Sequence, residues 1–144
     1  MKLRKEFIGL IIVAVCTAFI IWLNTRPSRT ESLLAEIRSS IDVEALRFAC
    51  QAVVKARSSY TNETSASWDI EKAIQILPDG SQYKRIPPAI RAVRPRPHRI
   101  LIETNRLVMV LPPPPRAFIE YSPGEEPTEN DIVLTNGLWL RLVR

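Results

Sequence analysis

Arg91, Arg94, Arg96 and Arg99 crowd into KRIPPAIRAVRPRPHR, residues 84–99. A guanidinium is a planar fork of donors that matches carboxylate and phosphate oxygens. Pro95 and Pro97 stiffen the backbone between the forks. The chemistry open to this pattern is anion binding, so the four arginines are candidate contacts to an anion or a lipid headgroup. The distribution of charge sharpens the reading. Residues 84–116 carry eight basic side chains and one acidic, Glu103, for +7; residues 24–83 carry seven and eight, for −1; residues 117–144 carry two and five, for −3. The plainer alternative is a solvated loop whose charges pair with Glu125, Glu126, Glu129 and Asp131. Surface pairs of that kind contribute about 0–1 kcal/mol each. Nucleic acid is the poorer partner, because no aromatics interleave with the basic residues to stack on bases.

Other reactive side chains assemble into nothing recognisable. His98 is the single histidine, and one imidazole among arginines makes no metal centre. The two cysteines, Cys16 and Cys50, lie in an apolar run and in a separate helical pattern. Cys50 reads as a small buried apolar residue, with an intermolecular disulfide as its alternative. No Cys-x-x-Cys, His-Glu-x-x-His or glycine-rich phosphate loop is present, and the four glycines are scattered. Ser, His and Asp occur without the spacing that would suggest a triad. No catalytic, cofactor or metal residue is therefore expected, and an enzyme is the less favoured class. Trp68 and Trp139 read as packing residues. Asn62-Glu63-Thr64 fits a glycosylation acceptor in a compartment that supplies the chemistry. Leu111-Pro-Pro-Pro-Pro-Arg116 offers a proline wall for a partner or a strand terminator; the second is favoured, because proline has no amide to recruit another strand.

The elements that must position these residues begin with FIGLIIVAVCTAFIIWL, residues 7–23, which contains no charge. As a helix, seventeen residues rise ~26 Å, against a hydrocarbon core of about 30 Å. Eleven are Phe, Ile, Leu or Val, and Trp22, Lys5 and Arg26 suit the two interfaces. An uncleaved transmembrane helix is the expected reading. Three removal routes compete with it: a secretory signal cut after Ala18, a lipobox at Cys16 and a pilin-type leader before Phe7. The first two leave apolar sequence beyond the cut, and the third lacks its Gly and Glu, since Glu6 and Ile11 hold those places. Lys2, Arg4 and Lys5 before the run, set against Arg26, Arg29 and Arg38 after it, favour an extracytoplasmic C-terminal domain by a small margin.

The 144 residues suit a single small domain beside one apolar helix. A short basic tail occupies residues 1–6 and the span residues 7–23. Juxtamembrane amphipathic helices follow over 24–57, where Ser28-Arg29-Thr30-Glu31 is a capping box and Asp42 a second start signal. Residues 58–67 form a polar linker. Residues 68–144 form a small domain: a short helix over Trp68–Leu77, then strands near Arg99–Glu103, Leu107–Leu111, Arg116–Tyr121 and the Ile132–Val143 hairpin. Asn136-Gly137 suits a type I′ turn, which needs positive φ at both central residues. The fold class is α+β, with a small antiparallel meander of about four strands. The expected function is a non-enzymatic binding or assembly component of the cell envelope. Its partners would be the bilayer through residues 7–23, anionic headgroups and an unidentified protein. This order of elements is similar to that of the pilins: an apolar N-terminal helix, an amphipathic continuation and an antiparallel sheet. That resemblance implies, as an alternative, a pilin-like subunit with a non-standard leader; a small membrane-bound enzyme is the third class.

Overall fold

The computed structural model describes residues 2–63 and 73–143, with the backbone alone for residues 2–7, 9 and 10. Helix α1 runs Lys2–Asn24 and contains the whole apolar run. Its described large apolar side chains, Ile8 and those from Ile11 to Leu23, stand 48–65% exposed. Among the described residues no single helix is long and apolar enough to cross a membrane; Ile11–Asn24 meets that measure only together with Arg29–Ser40, across a 56° bend.

Pro27 ends the apolar run, and α2 (Arg29–Ser40) starts on the expected capping box. Ser28 Oγ accepts from the Glu31 amide at 3.1 Å, and Glu31 Oε2 accepts from the Ser28 amide at 2.7 Å. Ile41 is extended, and Asp42 caps α3 (Val43–Lys55) by accepting from the amides of Glu44 and Ala45. The helical path therefore breaks at Ile41, where the second start signal takes over. Both helices turn one face inward: Leu33 and Ile37 from α2, Leu46, Cys50 and Val53 from α3. These side chains join the sheet residues in one apolar cluster.

Six strands, not about four, make one antiparallel sheet: β1 (Ile74–Ile76), β2 (Arg99–Ile102), β3 (Leu107–Val110), β4 (Ala117–Tyr121), β5 (Asp131–Thr135) and β6 (Leu138–Leu142). The hairpin contributes two strands, and β1 is the addition. Ile74–Ile76 lies within the stretch expected to be helical up to Leu77, a reading the structure corrects. Ile74 and Ile76 face one way and Gln75 the other, a period of two that three residues state too briefly to outweigh a helix pattern. Residues 68–72, with Trp68, lie outside the described residues, as do Ser67 and Thr64.

The order β1-β2-β3-β4-β6-β5 also departs from a plain meander, since β6 pairs with β4 and β5 takes the edge. Residues 122–130 carry the chain past the place of β6, and the hairpin then folds back to fill it. Its turn is not type I′. Gly137 alone takes a positive φ, 71°, while Asn136 does not, and the register slips between Val133 and Thr135.

One face of the sheet meets the helices. Ile100, Met109, Ile119, Leu140 and Ile132 form one cross-strand row, and Ile102, Leu107, Tyr121 and Leu138 the next. The opposite face carries Arg99, Val110, Phe118, Arg141 and Asp131 in one row. Beside it run Leu101, Val108, Glu120, Trp139 and Val133. Trp139 is buried, in keeping with a packing role. The polar members of this outer face close into an ion-pair chain. Glu120, 4% exposed, bridges Arg106 at 3.2 Å and Arg141 at 2.9 Å; Arg141 continues to Asp131 at 3.0 Å, and Arg106 to Glu103 at 2.8 Å.

Candidate functional site

The basic stretch is folded and anchored. After a 3₁₀ turn at Ser81–Arg85 comes a single helical turn, α4 (Pro88–Arg91), begun by proline where its missing amide costs nothing. Ile86, Ile90 and Val93 are buried in the main core, and their spacing of three to four residues is the local signal for it.

Three of the four arginines singled out by sequence spend donors on main-chain carbonyls. Arg91 Nε donates to Ile86 O at 3.0 Å. Arg94 Nη1 donates to Arg91 O and Val93 O, both at 2.9 Å, while its amide donates to Ser40 Oγ at the end of α2. Arg96 donates to Pro78 O, lies over the Tyr83 ring at 4.7 Å and stands 3.8 Å from the Asp79 carboxylate. These side chains brace the loop that carries them. None of the four pairs with Glu125, Glu126, Glu129 or Asp131; Asp131 belongs to Arg141. The solvated-loop pairing is thereby corrected: the acids nearest in sequence bias lie at the far edge of the sheet. Arg99 differs from the other three. Its Nε is buried and has no acceptor among the described residues.

Arg99 sits opposite Val110, and Val110 in turn sits opposite Phe118. These neighbours border a slot of about 250 Å³ lined by His98, Val110, Leu111, Pro113, Arg116, Ala117 and Phe118. The wall is apolar and the rim cationic. Neither His98 nor Arg116 has a side-chain partner among the described residues. Pro113 also belongs to a second groove, with Pro112, Pro114, Pro115 and Pro95 on one side and Pro27, Arg29, Ser32, Leu33 and Glu36 on the other. The proline run therefore spaces the start of α2 from the end of the sheet, a structural role. Arg116 and Phe118 escape a reading based on charge density alone. Strand alternation holds the signal for Phe118, which must oppose the buried Ala117 and Ile119.

His98 borders a third hollow as well, with Thr61, Asn62, Glu63, Leu77, Pro78, Asp79, Gly80 and Ser81. Serine, histidine and carboxylates meet here. Ser81 Oγ donates to Glu63 Oε1 at 3.3 Å, and the same carboxylate accepts from the amides of Gln82 at 2.7 Å and Leu77 at 2.9 Å. Asp79 is 97% exposed beside Arg96. Among the described residues no hydrogen bond joins His98 to Ser81. Among the described residues no group of three or more His, Cys, Asp or Glu could hold a metal ion.

Electrostatics follow these contacts. Hydrogen bonds from Arg141 hold Asp131 below the usual carboxylate range, against the opposing effect of burial, and the Thr128 amide and hydroxyl add to the effect. Glu44, accepting from Thr135 and Arg47, is lowered too. Burial pushes the Cys50 thiol far up, which disfavours its thiolate, and full burial leaves no route to an intermolecular disulfide without unfolding.

No protein-family model, curated protein or solved structure matches this chain.

Proposed function

We propose that the chain is a single-pass, membrane-anchored and non-enzymatic binding or assembly component of the cell envelope. In this reading α1 is the span and the α+β body sits on the extracytoplasmic side. One observation carries it: α1 exposes apolar side chains along its described length while the rest of the chain has an apolar core of its own. Such a surface is costly in water and favourable in hydrocarbon. The apolar run of residues 7–23 would rise ~26 Å, and Lys5 and Arg26 at its ends can reach the interfaces of a core of about 30 Å. At its far end the Arg26 guanidinium lies 3.4 Å from the centre of the Trp22 ring, a pairing suited to the headgroup layer. A bent span that includes α2 is the weaker version, because Leu33 and Ile37 are already committed to the core with the sheet.

The body's excess of positive charge between residues 84 and 116 suits anionic headgroups, each basic group near such a surface contributing about 1 kcal/mol. Carbonate extraction of native membranes, followed by intact-mass measurement, tests the anchor. The expected result is a pelleted chain of full mass. Release into the supernatant refutes the span, and a chain starting at Phe7 shifts the reading to the pilin-like subunit.

A further inference from the structure

The slot beside Arg99 has three features that point to a ligand, and they agree on its chemistry. Its wall, formed by Val110, Leu111, Pro113, Ala117 and Phe118, offers no hydrogen-bonding side chain, so what it holds must be apolar. Its rim offers the Arg116 guanidinium and the His98 imidazole, with Arg99 just outside it beside Val110. Arg116 and His98 have no side-chain partner among the described residues, and Arg99, beside Val110, keeps a buried Nε with no acceptor. A buried donor left unmade is expensive, and an anionic oxygen is its strongest remedy. The acids that could have neutralised the rim are engaged elsewhere: Glu120 and Asp131 are held by Arg141 and Arg106.

The third feature is position. Pro113 lines both the slot and the groove that contains Pro27 and Arg29. Pro27 follows the last residue of α1, Asn24, by three positions. The slot therefore opens close to where the chain leaves α1. An apolar cavity with a cationic rim at the foot of a span fits a molecule with a hydrocarbon tail and an anionic head.

We propose that the slot takes part of the acyl chain of an anionic phospholipid from the bilayer, with Arg99 and Arg116 facing its phosphate. The proposal rests on the membrane reading above and adds a ligand class and a site to it. Arg91, Arg94 and Arg96 are not part of this site. Their donors brace the loop that sets His98 and Arg99 in place.

The test uses the full chain in phosphatidylcholine nanodiscs doped with phosphatidylglycerol that carries a diazirine on one acyl chain. After irradiation, adducts are mapped by peptide mass spectrometry. Wild type is expected to show adducts on α1 and also between Val110 and Phe118. The double variant Arg99→Gln/Arg116→Gln should lose roughly tenfold of the second set, as expected for removal of charge-assisted hydrogen bonds, and keep the first. Phe118→Trp, which fills the slot without removing an aromatic, should abolish the second set with an unchanged circular dichroism spectrum. Adducts confined to α1 overturn the slot and leave the span standing. Absence of adducts from α1 as well overturns the membrane reading itself. Equal labelling by the same probe built on phosphatidylcholine overturns the anionic preference. Labelling from a headgroup diazirine alone overturns acyl insertion.

Discussion

Gly80 stands where a methyl group would meet the Glu63 carboxylate: a Cβ built on it lies 2.0 Å from Oε2. That carboxylate ties three separate donors, the amides of Leu77 and Gln82 and the Ser81 hydroxyl, so it organises the turn between β1 and the basic loop. A Gly80→Ala variant can relieve the clash only by moving the carboxylate and abandoning these bonds. A loss of about 1–3 kcal/mol is expected, read as a lower urea midpoint. Gly124 is the control, since nothing lies within 4 Å of its Cβ position, and Gly124→Ala should change stability by less than ~0.5 kcal/mol. The same logic separates the arginines. Arg91, Arg94 and Arg96 look equivalent to Arg99 in composition, yet carbonyl partners distinguish them, and those partners lie on backbone whose path the sequence does not display.

Among the elements, β5 is the one held most by charge. It is an edge strand with Val133 exposed and its other side chains half-buried, paired to β6 and fastened by Asp131 to Arg141 at 3.0 Å. Asp131 has a lowered pKa in the fold, so its contribution is full above the unfolded-state value near 4 and is lost as pH falls through the depressed folded value. Asp131→Asn should therefore destabilise the chain at pH 7, and the difference from wild type should shrink steadily below about pH 4. Paired urea titrations at the two pH values check this; a difference constant with pH would remove the ion pair from the account. The helices, by contrast, are held by local signals that the chain states openly. The Ser28/Glu31 box and the Asp42 cap are short-range and survive as read. The short strand β1 does not announce itself, because three residues between Ala73 and Leu77 gain their identity from Ile100 and Ile102 across the sheet.

For the molecule as a whole, the apolar cluster begins at Leu33 and, among the described residues, includes nothing from α1. A fragment of residues 28–144 is expected to unfold cooperatively with the same urea midpoint as the full chain in nanodiscs. A collapsed or molten fragment, judged by near-ultraviolet circular dichroism, would show that α1 carries structural weight. The cluster also joins α2, α3, the basic loop and the sheet, so segments that differ sharply in composition share one interior.

Much of this architecture is written in short-range pattern. The apolar run and its helix, the two capped helices, the β2–β3 hairpin and the Asn136-Gly137 hairpin depend on contacts between residues a few positions apart, and the amino-acid order determines them directly. The concentration of positive charge is equally legible, being a sum over residues. What only the tertiary structure decided is which of those charges remain available. Arg99 opposite Val110, Phe118 on the face away from the helices, Pro113 between two grooves and β6 beside β4 all follow from register, and register is settled by the faces the strands bury together. A cation is free or engaged according to carbonyls and carboxylates brought to it from distant parts of the chain. That pairing is a property of the packed interior, with no counterpart in local sequence.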